Sequence, residues 1–219
     1  MSSEIATPSP GLVGAHFRGA LATARTCRHP FVHWLLEGAL PARDIAGVLA
    51  LPFAPPEGAR FDGQRECNNS TRMFLTPAQQ ARYPVCRRLA EGFRDPATVG
   101  ALEALTGAEL SSGRLRIEYC QDVDGFWLEP HRDISVKRIT ILIHLSDEAA
   151  LADAGTDLYE GPPHHRPAGR APSRAGRALI FVPGDDTWHG FTPRPIRAVR
   201  RTLIVNIVGP DWRAVEELA

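Results

Sequence analysis

The hydrophobic pattern of the chain changes from a helical period to strand-like alternation near Gly113. Before that point, apolar residues recur at fourfold spacing, as at Val85, Leu89 and Phe93, which is typical of one helix face. After it, short runs rich in β-branched residues are separated by glycine and proline, which predicts strands. Because the helices need an apolar surface to cover, this order predicts an α+β fold in which N-terminal helices pack on a sheet sandwich or barrel.

Proline and glycine positions divide the chain into expected elements. The expected helices are 12–25, 41–51, a long one opened by Thr76-Pro77, and one from Asp95-Pro96 to Thr106-Gly107. The expected strands are 31–36, 114–120, 126–133, 136–145, 177–182 and 201–208. The 219 residues are expected to form a single domain, 1–219, with helical support over about 1–110 and a β core over about 113–210.

Composition limits the partners that we expect. Lys plus Arg and Asp plus Glu both total 25, so no net charge draws the whole chain to nucleic acid or to an anionic membrane. No apolar stretch approaches the roughly 20 residues that span a bilayer, and the first residues lack a secretory pattern, so we expect a cytoplasmic protein. The four cysteines form no CxxC pair, which argues against a zinc knuckle or a disulfide framework. The sequence does not indicate an oligomeric state.

Two candidate metal ligands, His131 and Asp133, stand two positions apart on a predicted strand. Side chains at this spacing project from the same face of extended backbone, about 7 Å apart along the chain, so both can reach one ion. A third candidate, His189, follows an apolar strand and is expected at a sheet edge. Two imidazoles and one carboxylate on one face of an octahedron form the non-haem iron(II) site that leaves three positions open.

An arginine, Arg200, follows the third candidate ligand and directly precedes the predicted strand 201–208. Alternation places Arg200 and Thr202 on one face of that strand, and an arginine buried there needs an anion. The distal carboxylate of a metal-chelating dicarboxylate would supply one, with the Thr202 hydroxyl as a further donor. Arg201 is expected on the other face, although a one-residue bulge would exchange the two arginines.

These residues together resemble the 2-oxoglutarate and iron(II)-dependent oxygenase superfamily, and within it the prolyl-4-hydroxylase type. The likeness rests on the His131-x-Asp133 pair, distal His189 and the following Arg200, and it spans roughly residues 31–208. It implies a double-stranded β-helix (jelly-roll, cupin-like) core flanked by N-terminal helices. It also implies an Fe(II) cofactor, 2-oxoglutarate as co-substrate, and O2. The implied reaction is hydroxylation of an unactivated C–H bond, with desaturation or cyclisation left open.

The resemblance implies two further residues around the co-substrate. The family places a tyrosine on the strand before its His-x-Asp pair, and Tyr119 stands in that region. Family members often have tyrosine where His144 falls, so His144 is expected to donate to the co-substrate carboxylate. A buried structural histidine or a rival metal ligand are the other interpretations of His144.

The sequence constrains the substrate least. A polar cluster of Glu66, Asn68, Asn69 and Arg72 presents amides and a guanidinium to the pocket mouth, or forms an ordinary turn. Trp127, close to the ligands, is either a pocket wall or part of the core. We expect a small-molecule, amino-acid or peptide substrate, and we take Asn68, Arg72 and Trp127 as candidate substrate residues.

Two other functions stay open at this point. A non-catalytic, cupin-like metal-binding or sensor domain would use His131, His144 and His189 for zinc or nickel. A nucleic-acid demethylase needs a basic track, and only the proline- and arginine-rich loop at 161–177 offers clustered positive charge, so no nucleic acid is expected as a partner. That loop is either a solvated insertion or a basic lid over an anionic substrate.

Overall fold

The computed structural model describes residues 11–55, 57–64 and 71–219. Its helices are α1 (Gly11–Ala22), α2 (Ala42–Leu49), α3 (Pro77–Arg82), α4 (Pro84–Arg94) and α5 (Pro96–Thr106). Its strands are β1 (Arg25–Cys27), β2 (His33–Leu36), β3 (Arg72–Phe74), β4 (Arg114–Asp122), β5 (Leu128–His131), β6 (Lys137–His144), β7 (Asp157–Tyr159), β8 (Pro167–Arg170), β9 (Ala178–Phe181), β10 (His189–Phe191) and β11 (Arg200–Val208). Short 3₁₀ turns cover Ala149–Leu151 and Val215–Glu217.

Prolines determine where the helices begin. Thr76 caps α3, and its side chain accepts a hydrogen bond from the backbone N–H of Gln79. The long helix expected from Thr76 is wrong in one respect, because Pro84 divides it into α3 and α4. Tyr83, the residue before that proline, is extended at φ −123° and ψ 114°, as the proline ring requires. Within the described ranges, no helix is long and apolar enough to cross a membrane.

Two antiparallel sheets form the second half of the fold. The larger sheet has seven strands in the order β1-β2-β9-β6-β11-β4-β3, and the smaller has four in the order β5-β10-β7-β8. The longest pairings join β11 to β4 and to β6, which places these three strands at the centre of the larger sheet. The loop expected at 161–177 contains β8, which pairs with β7.

Strand alternation gives the larger sheet two apolar faces. Leu203 belongs to the main core, which the sheet shares with the helices through residues such as Leu89 and Phe93. Its neighbour Ile204 belongs to a second core, which includes Leu158 of the smaller sheet and therefore lies between the two sheets. Burying each such side chain stabilises the fold by roughly 1.5–3 kcal/mol. Polar residues of β11 and β6 that share a face with Ile204 therefore lie between the two sheets.

Candidate metal centre

His131 and His189 meet across two neighbouring strands of the smaller sheet. His131 ends β5, His189 begins β10, and the two are direct partners in the strand register. Their ring centroids are 4.4 Å apart. His189 therefore lies inside this sheet, between β5 and β7, and the expectation of a sheet edge was wrong. Its strand, β10, has only three residues and was not predicted.

Asp133 completes the group two residues after His131. One possible ligand atom from each of His131, Asp133 and His189 lies within 4.8 Å of the other two. Atoms this close can share one ion after small side-chain adjustments. His144 does not belong to the group, so the described residues do not assemble the three-histidine set of the sensor alternative.

Backbone contacts fix the orientation of both imidazoles. The Nδ1 atom of His131 lies 2.9 Å from the carbonyl oxygen of Glu129, and that of His189 lies 3.0 Å from the carbonyl oxygen of Thr187. A carbonyl oxygen only accepts, so each Nδ1 carries the proton and donates it. The lone pair of each ring is then on Nε2, which is the form in which histidine binds a metal.

The Asp133 carboxylate is held by two side chains of β6. Lys137 Nζ donates to one oxygen and Thr140 Oγ1 to the other, both at 2.6 Å. The Asp133 side chain is only 2% exposed. Such contacts orient a ligand before a metal arrives. Sequence analysis missed both partners.

Gly190 allows the two histidine-bearing strands to approach. A Cβ at this position would lie 2.8 Å from the carbonyl oxygen of Leu128 and 2.9 Å from that of Glu129. Contacts this short are not tolerated by a methyl group, so only glycine fits beside the irregular β5–β10 pairing.

A small inner cavity lies between the sheets, beside His131 and His189. Its volume is about 40 Å³, which is room for about three water molecules. Apolar side chains form much of its wall, among them Phe126, Leu142 and Phe191. The remaining polar lining comes from Arg72, Asp122, Thr156, Arg200 and Thr202.

Arg200 faces this cavity, as alternation predicts, but it already has an anion from its own chain. Its Nη1 donates to Asp122, which is its direct partner in the β11–β4 register. Sequence analysis missed Asp122 because it ended the strand at residue 120, two positions too early. Arg201 faces the other way and pairs with Glu148 at 3.5 Å.

Two buried polar atoms near Arg200 are unsatisfied. Thr202 Oγ1 and His144 Nε2 have no hydrogen-bond partner among the described residues, and the two residues pair across β11 and β6. Complete burial, together with the nearby Arg200 charge, lowers the pKa of His144 to about 3, so its ring is neutral. An unsatisfied buried polar atom costs about 1–3 kcal/mol. A polar ligand would satisfy both atoms, as the expected co-substrate carboxylate would.

No family model matches the chain, and no curated protein matches it. Solved structures do match. A prolyl-4-hydroxylase from Pseudomonas putida has a TM-score of 0.56 at 16% identity, over 89% of this chain and 98% of its own. A prolyl hydroxylase from Trichoplax adhaerens, solved with a hypoxia-inducible-factor peptide fragment, has a TM-score of 0.58 at 13% identity, over 91% of this chain and 90% of its own.

The chain has the prolyl-4-hydroxylase fold. The non-haem, alpha-ketoglutarate-dependent epimerase SnoN from nogalamycin biosynthesis also matches, with a TM-score of 0.52 at 16% identity, over 92% of this chain and 84% of its own. The predicted class, an α+β fold with a double-stranded β-helix core flanked by N-terminal helices, is confirmed. The resemblance inferred from the motif is confirmed at the level of the fold.

Within this prolyl-4-hydroxylase fold, Tyr119 is remote from the inner cavity. It belongs to the core beneath the helices, where its ring lies 5.9 Å from that of Phe53. Burial raises the pKa of its hydroxyl, which is near Arg201. Alternation explains the correction, because the neighbouring residue Cys120 is the one that lines the cavity.

An outer cleft of about 410 Å³ opens beside the candidate ligands. Arg72 lines both the cleft and the inner cavity, and its Nη1 donates to Glu118 at 2.7 Å. Burial disfavours the charge on Arg72, but Glu118 and other nearby groups outweigh it and raise its pKa. Its Nε is buried with no hydrogen-bond partner among the described residues.

The other two candidate substrate residues have different outcomes. Trp127 packs on Gly63, where an added Cβ would come within 2.3 Å of the indole, and it lines neither the cleft nor the cavity. The structure thus assigns Trp127 to packing. Asn68 lies outside the described residues, as do Glu66 and Asn69.

Proposed function

We propose that this protein is an Fe(II)- and 2-oxoglutarate-dependent dioxygenase that hydroxylates an unactivated C–H bond of a small molecule, an amino acid or a peptide residue. The observation that carries the proposal is the convergence of His131, Asp133 and His189 within 4.8 Å. The backbone contacts that direct each histidine lone pair to Nε2 support it further.

The three residues would hold one Fe(II) ion on one face of its coordination sphere, with the other positions left for co-substrate and O2. When bound, the iron and 2-oxoglutarate supply the oxidising power for C–H hydroxylation, with O2 as oxidant and succinate and CO2 as the co-products. Lys137 and Thr140 keep the Asp133 carboxylate in place for the ion.

Residues of the inner cavity would receive the distal end of 2-oxoglutarate. Thr202 in the cavity wall and neutral His144, its partner across β11 and β6, each offer a polar atom that lacks a partner among the described residues, and Arg200 offers a charge beside them. Phe181 packs against the His189 ring with centroids 4.8 Å apart. Such apolar walls exclude water and strengthen polar contacts to a bound anion.

The outer cleft would receive the substrate. It reaches His131 and Asp133, and Arg72 supplies a donor at its inner end. Because the cleft is open to solvent and holds about 410 Å³, it suits a small molecule, an amino acid or one residue of a peptide. The peptide bound by the Trichoplax adhaerens enzyme supports including peptides among the candidates.

The test is succinate release with a panel of amino acids and peptides, together with anaerobic absorbance of the Fe(II) and 2-oxoglutarate complex. We expect His131→Ala to lose at least about 100-fold in turnover and Arg200→Ala to raise the 2-oxoglutarate concentration that turnover requires. His16→Ala, an exposed histidine on α1, is the matched control and should match the parent. A parent that binds iron but gives neither a 2-oxoglutarate-dependent band nor succinate would contradict the proposal.

A further inference from the structure

The Arg200–Asp122 pair is an ion pair built into the wall of the inner cavity. The two residues are opposite each other in the register of β11 and β4, so the sheet itself holds them together. Their side chains are 9% and 4% exposed. A pair this deeply buried and this closely positioned is not an incidental surface contact.

Every nitrogen of the Arg200 guanidinium contacts an acceptor within the chain. Nη1 donates to Asp122, Nε donates to the carbonyl oxygen of Ala154 at 2.6 Å, and Nη2 lies 3.4 Å from Thr156 Oγ1. Arg200 is thus oriented and electrically compensated without any ligand. The anion that a buried arginine requires is already present.

Two uncharged groups beside Arg200 lack a hydrogen-bond partner among the described residues. They are Thr202 Oγ1 and Nε2 of neutral His144; Nε of Arg72 also lacks a partner, but it belongs to a guanidinium that Glu118 already faces. The second guanidinium of the cavity wall, that of Arg72, is paired with Glu118. An incoming carboxylate therefore finds hydrogen-bonding groups to satisfy, while each neighbouring guanidinium already faces a carboxylate.

We infer that Asp122 competes with the distal carboxylate of the co-substrate for Arg200, and that it is a specificity-determining residue of the co-substrate pocket. This inference rests on the proposed function. Attraction by Arg200 and repulsion by Asp122 act on the incoming carboxylate from nearly the same place and largely cancel. The pocket consequently recognises the distal end by hydrogen bonds from Thr202 and His144 more than by charge.

The experiment compares three 2-oxo acids by anaerobic calorimetric titration of the Fe(II)-loaded protein. These are 2-oxoglutarate, its uncharged distal methyl ester, and 2-oxobutanoate, which has no distal polar group. The parent should bind the first two within about threefold of each other, because the charges cancel. Asp122→Asn should bind 2-oxoglutarate at least about tenfold more tightly than the parent does, with 2-oxobutanoate unchanged within about twofold.

The matched control is Asp157→Asn. Asp157 is also a buried aspartate paired with arginines, Arg170 at 2.7 Å and Arg194 at 2.5 Å, but it does not line the inner cavity. Its substitution should leave the ratio of 2-oxoglutarate to 2-oxobutanoate affinity as in the parent. The parent titrations test the inference by themselves if Asp122→Asn does not fold.

Two outcomes would overturn the inference while the proposed function stands. One is a parent that prefers 2-oxoglutarate over its distal methyl ester by more than about tenfold, as an uncompensated guanidinium would. The other is weaker or unchanged 2-oxoglutarate binding in Asp122→Asn, which would make Asp122 a positioning residue for Arg200. A parent that binds none of the three acids would overturn the inference together with the proposed function.

Discussion

His131 and His189 are paired residues of two adjacent antiparallel strands, and this pairing places the centroids of their imidazole rings 4.4 Å apart. The centre therefore depends on how closely β10 approaches β5. Gly190 controls that approach, because a side chain there would collide with the carbonyl oxygens of Leu128 and Glu129.

Gly190→Ala should accordingly weaken metal binding. The added methyl group would push β10 away from β5 and move His189 from His131, which we expect to weaken Fe(II) affinity at least about tenfold. Gly169→Ala, in β8 of the same sheet, is the control, since no atom lies within 4 Å of its added Cβ. Anaerobic metal titration of both variants measures the effect, and equal affinities would refute this role of Gly190.

Thr140→Val should also weaken the metal site, by removing the hydroxyl that donates to Asp133. Loss of such a contact to a ligand typically lowers metal affinity about 10–100-fold. Thr140→Ser retains the hydroxyl and should bind metal within about threefold of the parent. If valine and serine give the same metal affinity, the hydroxyl does not orient Asp133.

Alternation along the strands predicted much of the inner face of the site. It placed Arg200 and Thr202 together and Arg201 on the opposite side, because side chains two apart on a strand share a face whatever the partner strand is. The same rule, applied to β4, places Cys120 inside and Tyr119 outside. Tyr119 was assigned to the co-substrate by resemblance alone, and alternation along its strand places it on the opposite face.

The rest of the site depends on tertiary pairing that one strand does not encode. Asp122 pairs with Arg200 across β4 and β11, a contact that needs the folded sheet, whereas Lys137 meets Asp133 locally, through the turn between β5 and β6. Strand β10 escaped prediction because its three residues include Gly190, and a run this short shows no periodicity. The candidate metal ligands His131, Asp133 and His189 could be recognised from the sequence only by their residue types and their spacing.

Folding stability should depend on His144 through pH. The folded protein keeps this ring neutral down to about pH 3, whereas the unfolded chain takes up a proton below about 6.5. The free energy of unfolding should therefore fall by about 1.4 kcal/mol per pH unit through this window on account of His144. His144→Gln removes that contribution, so its denaturant-measured stability should decline less steeply from pH 6.5 to 4 than that of the parent. Parallel declines would contradict the neutral assignment.

Glu118 should be among the costliest acidic residues to neutralise. Its side chain is 0% exposed and accepts hydrogen bonds from Arg72 and Arg116. Glu118→Gln removes the negative charge that compensates two buried guanidinium groups. This should lower the free energy of unfolding by roughly 3–5 kcal/mol. Asp147→Asn neutralises one partner of an exposed ion pair with Arg174, so it should leave the free energy of unfolding unchanged. Urea titration of the parent and both variants measures the two effects.

The central claim is that one ion binds to His131, Asp133 and His189. Anomalous X-ray scattering from crystals of the protein grown anaerobically with Fe(II) tests it most directly. We predict one iron peak at about 2.0–2.3 Å from Nε2 of both histidines and from a carboxylate oxygen of Asp133. An iron peak elsewhere, or one at this place that excludes Asp133, would contradict the account.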